Sequence, residues 1–128
     1  IDNFKQFNDT YGHHLGDKYL IYAANAMMAS VSEGDLVCRM GGDEFALLIQ
    51  YDLNIDDKVI INDMKSIYEK IDLSIKTSFK NATSLSMGIA ISSPELDSFA
   101  KLYEASDKAL YLVKKGGRNS YNVYKSWL

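Results

Sequence analysis

The sequence predicts an α+β domain in which a mainly antiparallel sheet carries helices on one or both faces. Three observations lead there. Apolar residues recur at helical spacing in three separate stretches, two short apolar runs flank a Gly-Gly turn, and the order along the chain is helix, hairpin, helix, strand, helix, strand. Leu15, Tyr19, Tyr22, Ala23, Ala26, Met27 and Val31 lie three and four residues apart, so they share one face of a first helix ending near Gly34. Leu36–Met40 and Phe45–Gln50 read as the two strands of a β-hairpin around Gly41-Gly42-Asp43-Glu44. In the second helix Ile55, Val59, Ile60, Met64, Ile67, Tyr68 and Ile71 form the apolar stripe, while Asp56, Asp57 and Asp63 keep the other side wet. Ser84–Ser92 is a strand whose side chains are thinned at Ser86 and Gly88. A third helix carries Phe99, Leu102, Tyr103, Ser106, Ala109, Leu110 and Val113 and stops at Gly116-Gly117, and a last strand covers about Tyr121–Tyr124.

At 128 residues the chain is one domain long. Its composition, 47% hydrophobic and 24% charged, is that of a chain with a real core rather than a disordered one. The single cysteine, Cys38, excludes an internal disulfide framework and a Cys-rich metal site, which fits a reducing compartment. The apolar runs fall well short of the roughly 20 residues of a membrane span. The N-terminus has neither a basic start nor an apolar signal core, so no membrane contact by this domain and a cytoplasmic location are expected. Charge is uneven: residues 1–100 hold 8 basic and 15 acidic side chains, residues 101–128 hold 6 and 2. An acidic body argues against a nucleic-acid binder, whose affinity comes from phosphate neutralisation, yet the basic end suits one polyphosphate.

Two glycines followed by two adjacent carboxylates make an unusual hairpin turn, since Asn-Gly or Asp-Gly would reverse the chain without the second acid. Glycine lets backbone approach a ligand closely, and hard oxygen donors beside a polyphosphate are what Mg²⁺ selects. The spacing alone also fits a solvated turn with ordinary surface acids. Lys114 and Arg118, four residues apart around Gly116-Gly117, can form a clamp for phosphate oxygens, with Arg supplying the planar fork. They equally suit a helix C-terminus, where cations complement the dipole and glycines cap. Asn8 offers donors and acceptors and Asp17 acceptors only, which matches the ring N–H and exocyclic amine of guanine; plain helix-start chemistry explains the same residues. His13 and His14 lack a third ligand nearby and read as loop polarity.

Taken in order, Ile-Asp-Asn-Phe-Lys-Gln-Phe-Asn-Asp (1–9), Gly-His-His-Leu-Gly-Asp (12–17), Arg-Met-Gly-Gly-Asp-Glu-Phe (39–45), Ser-Leu-Ser-Met-Gly-Ile-Ala (84–90) and Asp-Lys-Ala-Leu-Tyr-Leu-Val-Lys-Lys-Gly-Gly-Arg-Asn (107–119) resemble the successive motifs of the GGDEF family, the diguanylate cyclases. The resemblance implies a nucleotide-cyclase or polymerase-palm-like fold, with a ferredoxin-like antiparallel sheet flanked by helices. It implies condensation of two GTP into cyclic di-GMP with release of two pyrophosphates, across a homodimer of such domains. By the same resemblance Asp43 and Ile1 are metal-site residues, Glu44 is a catalytic acid, and Asn8 and Asp17 read guanine. Lys5, Lys114 and Arg118 contact phosphate, together with the backbone of Asn3, Phe4 and Lys5, and Gly42 adjoins the substrate. The implied cofactor is Mg²⁺ or Mn²⁺, two ions per active site, and the implied partners are GTP, a second GGDEF domain and a fused sensory or receiver domain.

Two departures from the family pattern carry expectations of their own. The family places an aspartate immediately before the residue matching Ile1, at the end of a central strand. The single domain of residues 1–128 is therefore expected to lack its N-terminal strand and lead-in segment, leaving unpaired sheet edges, and activity is expected of the longer protein. Many members also carry Arg-x-x-Asp just before the signature, a site for inhibition by product. Here those positions read Ser32-Glu33-Gly34-Asp35, and without a guanidinium product inhibition there is expected to be weak or absent.

Overall fold

A computed structural model describes residues 1–80 and 82–125. The chain opens with α1 (Phe4–Tyr11), a helix of two turns that the periodicity did not reveal. It is too short to stand alone in water. What holds it is Phe7, buried with its ring 5.0 Å from Tyr19 and 6.0 Å from Phe79. Gly12 breaks the chain at φ 87°, and α2 (His13–Ser30) follows, burying Tyr19, Ala23 and Met27 of the expected face.

The hairpin forms as expected from β1 (Leu36–Gly41) and β2 (Glu44–Leu48), paired antiparallel from Leu36 opposite Leu48 to Gly41 opposite Glu44. Next, α3 (Asp57–Phe79) starts at Asp56, whose carboxylate accepts from the Lys58 amide at 2.9 Å. It runs two turns past the expected stripe because Ile75 and Phe79 extend the row of Ile71 at intervals of four. A strand was expected over Ser84–Ser92, but β3 covers only Met87–Ile89. On the N-terminal side the hydroxyls of Ser84 and Ser86 turn to Asp2, distant in the sequence, and the Asp2 amide bonds the Ser84 carbonyl, so Ser84–Ser86 stand outside the ladder with β4. After α4 (Phe99–Lys115), β4 (Tyr121–Val123) pairs with β3 in parallel, α4 acting as the crossover.

Helices and strands thus combine as an α+β domain, with the strands in two ribbons: the antiparallel β1–β2 hairpin and the parallel β3–β4 pair. The main core joins Phe7, Tyr19, Ala23, Met27, Tyr68, Ile71, Ile75 and Leu85, with Val37, Phe45 and Leu47 packed against it from the hairpin. On the other side α4 lies directly on β3. A Cβ at Gly88 would come within 2.1 Å of the Ser106 carbonyl oxygen and 2.5 Å of the Leu110 nitrogen, so only glycine permits that approach.

Candidate functional site

The hairpin turn is built to hold two acids at its tip. The register slips between Arg39 and Gly41, a bulge that re-aims the strand end, and Gly42 occupies the left-handed region at φ 53°. Arg39 Nε donates to the Gly42 carbonyl at 2.8 Å, and the Ile1 nitrogen donates to the Asp43 carbonyl at 3.1 Å. Both staples use backbone acceptors, which leaves the Asp43 carboxylate free of them. Between β2 and β3, which share no ladder, lies a cavity of about 180 Å³. Ile1, Asp43, Glu44, Tyr103, Asp107 and Lys114 are among the residues that line it.

Tyr103, on α4, donates its phenolic hydrogen to Glu44 Oε1 at 2.5 Å. That bond, with some desolvation, pushes the Tyr103 hydroxyl up to about 12, so it stays a donor through the physiological range. Away from the cavity, burial pushes the Tyr19 hydroxyl up to about 12 where it pairs with Thr83.

The basic side comes from the end of α4. Gly116 closes the helix through its amide to the Leu112 carbonyl, and the Arg118 amide reaches back to Val113 at 2.9 Å. The chain then holds three consecutive positive φ values: Gly117 at 114°, Arg118 at 68° and Asn119 at 55°. Lys114 faces the cavity, whereas Arg118 is exposed on the turn beyond it.

The expected base readers occupy the junction of α1 and α2. Asn8 packs so closely on α2 that a Cβ at Gly16 would stand 1.7 Å from its Oδ1. That oxygen is buried and lacks a partner among the described residues, and Asp17 follows Gly16 directly at the surface. Lys5 is exposed on α1, and Asn3 adopts φ 53° at its start. The ring of Phe4 turns inward, 6.1 Å from Tyr19, so only its backbone remains for a ligand.

The structure therefore gathers Ile1, Asp43, Glu44 and Lys114 around one cavity, whereas Asn3, Lys5, Asn8, Asp17 and Arg118 do not line it. Sequence reasoning assigned no role to two residues that matter here. Tyr103 fitted the apolar stripe of α4, and only a phenol's need for a partner hinted at more. Asp2, 3% exposed, accepts bonds from Ser84, Ser86 and Asn119, and a carboxylate in the opening motif was its only signal. As for metal, no three His, Cys, Asp or Glu side chains cluster among the described residues. Two adjacent carboxylates beside a backbone carbonyl still suit Mg²⁺, which binds through one or two carboxylates and fills its shell with water and phosphate. In the Ser32–Asp35 segment both Asp35 oxygens are engaged, by the Ser32 amide at 2.9 Å and the Gln50 amide at 3.0 Å. No helix among the described residues is long and apolar enough to cross a membrane.

Comparison with known proteins adds a separate line of support. A family model described as diguanylate cyclase, GGDEF domain, matches residues 1–120. The diguanylate cyclase DosC of Escherichia coli K12 is 34% identical over 128 residues, covering all of this chain and 28% of DosC. The GGDEF domain of YfiN (TpbB) from Pseudomonas aeruginosa superposes with a TM-score of 0.79 at 32% identity, covering 98% of this chain and 78% of that one. The GGDEF domain of DgcB from Caulobacter crescentus, solved in complex with cyclic di-GMP, gives 0.77 at 29% identity, covering 98% and 74%.

Proposed function

This chain belongs to the diguanylate cyclase GGDEF-domain family, and on that premise we propose that the protein containing it condenses two GTP into cyclic di-GMP and two pyrophosphates. The observation that carries the reading is the cavity itself, where the acidic turn and the basic end of α4 meet: Asp43 and Glu44 face it from one side and Lys114 from the other. Asn8 and Asp17 read the guanine edge, and Gly42 leaves room for the nucleotide. Lys5, Lys114 and Arg118 bind phosphate oxygens with the Asn3–Lys5 backbone. Asp43 and Ile1 would hold Mg²⁺ or Mn²⁺, two ions per site, with Glu44 as the catalytic acid of the signature. When bound, the ions neutralise charge on the phosphates and favour in-line geometry.

In each half-reaction a 3′-oxygen forms a bond to an α-phosphorus, the bond from that phosphorus to the bridging oxygen breaks, and pyrophosphate leaves. The 3′-hydroxyl gives up its proton to solvent water as it attacks. Each domain holds one GTP, so catalysis joins two copies face to face. A fused sensory or receiver domain supplies the signal, and the domain works in the cytoplasm, where GTP is.

Feedback through the Ser32–Asp35 segment is weak or absent in this reading, because Ser32 has no guanidinium and the Asp35 carboxylate is already bonded to two amides. Adding product at low micromolar concentration to the full-length enzyme is expected to change its rate little or not at all, and strong Ser32-dependent inhibition would overturn this reading.

The alternative reading is a catalytically inactive GTP-binding regulatory module. Cyclic di-GMP formation from GTP and Mg²⁺, read by chromatography with mass detection on the full-length protein beside its Asp43→Asn variant, separates the two. Product that vanishes in the variant supports the cyclase. A folded, dimeric protein that binds GTP and makes no product under activating conditions is the silent module.

A further inference from the structure

We propose that Asp2 is a positioning residue that holds the Arg118 turn in its phosphate-binding shape, an inference that rests on the reading of Arg118 as a phosphate contact. Asp2 is 3% exposed, and no ion pair among the described residues includes it. A buried carboxylate without a cation persists only where hydrogen-bond donors satisfy it. Here three donors do so: Ser84 Oγ at 2.5 Å and the Asn119 amide at 3.1 Å on Oδ2, and Ser86 Oγ at 2.6 Å on Oδ1.

The donor that matters for function is the Asn119 amide. Arg118 and Asn119 are successive non-glycine residues at positive φ. Asn tolerates that region, but Arg has no side-chain bond to its own backbone that would favour it. Such strain survives only where the surroundings over-determine the backbone. The surroundings do so from two sides. Asp2 and Ser86 take the Asn119 amide, while Lys76 donates to Asn119 Oδ1 at 2.7 Å and is itself paired with Asp72 at 2.8 Å. Arg118 sits immediately before this anchored residue, so its direction follows from the anchor.

The neighbouring residue gives the arrangement its second use. Ile1 donates to the Asp43 carbonyl, and Asp2 accepts from Asn119. Two successive residues thus tie the acidic turn and the basic turn to one point of the backbone. Asp2 fixes the spacing between the phosphate clamp and the acids without contacting substrate.

The test uses the full-length protein with Asp2→Asn, Arg118→Ala and the double variant, measuring KM for GTP, kcat and the thermal midpoint. Asp2→Asn keeps the shape and exchanges an acceptor for a donor. KM is expected to rise about 10-fold, as for loss of a group that orients a ligand contact, with kcat changed much less. The double variant is expected to bind no worse than Arg118→Ala, because the two act through one contact. Ser86→Ala, which removes one donor and leaves the carboxylate in place, moves KM in the same direction by less and serves if Asp2→Asn does not fold. An unchanged KM in folded Asp2→Asn, beside a raised KM in Arg118→Ala, overturns the positioning role and leaves the phosphate reading standing. An unchanged KM in Arg118→Ala overturns both. Additive effects in the double variant also overturn it.

Discussion

Two Gly-Gly turns, at 41–42 and 116–117, carry the charged residues of the candidate site, and they are held in opposite ways. In the acidic turn the left-handed φ immediately before Asp43 falls on Gly42, so Asp43 and Glu44 inherit no strain, and the staples from Arg39 and Ile1 reach backbone carbonyls. In the basic turn positive φ passes beyond Gly117 to Arg118 and Asn119, and a buried carboxylate, two serines and a lysine hold the result. The difference separates cheap placement from constrained placement. The acids proposed to bind metal ions stand at a lightly held tip, whereas the guanidinium proposed to meet phosphate follows a backbone fixed by a network.

The comparison breaks most visibly at Asp43. Because the Asp43 side chain makes no hydrogen bond or ion pair among the described residues, Asp43→Asn should lower cyclic di-GMP formation by about 10²–10³-fold with no change in thermal midpoint. A matching loss of stability would mean that the acidic turn is structural after all. Gly88→Ala has the next largest effect and acts on both sides of the cavity, since α4 carries Tyr103 and Lys114. The added Cβ meets helix backbone, which cannot swing aside as a side chain can, and the cost should be about 1–3 kcal/mol by chemical denaturation. A wild-type midpoint in Gly88→Ala would show that α4 does not rest on β3 as described.

Arg118→Gly sharpens the contrast, because stability and function should move apart. Relief of the left-handed penalty, roughly 1–2 kcal/mol, outweighs the extra freedom of glycine in the unfolded chain, about 0.5–1 kcal/mol. The variant should therefore be slightly more stable while its KM for GTP rises about 10-fold. Loss of stability would place Arg118 among the residues that hold the turn rather than those it presents.

How far the sequence revealed this follows the same division. The hairpin, the three long helices and the acids at the turn were legible because they depend on local period and turn chemistry, as with Tyr19, Ala23 and Met27 on α2. Three features were not. Helix α1 is stabilised by rings from α2 and α3, Ser84 and Ser86 turn to Asp2 before β3 begins, and α3 continues through Ile75 and Phe79 past a stripe diluted by Ser74, Thr77 and Ser78. Each depends on a contact between residues far apart in the chain. Arg118 could be named as a candidate from its charge and spacing, but the left-handed backbone that aims it depends on Asp2, 117 positions from Asn119.

The smallest effect expected is alkaline, and it distinguishes the core from the cavity. The Tyr19 and Tyr103 hydroxyls are both pushed up to about 12 in the folded chain, Tyr19 chiefly by burial and Tyr103 chiefly by its bond to Glu44. A raised pKa means that the folded state keeps a proton the unfolded state gives up. Their contribution is therefore complete below pH about 10, the unfolded value, and is lost as pH rises toward 12. Stability measured by denaturant titration should stay level through neutral pH and fall across that window. Tyr103→Phe should soften the fall only slightly, since Tyr103 lies at the solvent-reached edge of the cavity, whereas Tyr19→Phe should soften it more. Equal effects from the two variants would mean that the Tyr103–Glu44 bond is as shielded from water as the core, and the cavity would then be far more closed than its exposed lysine suggests.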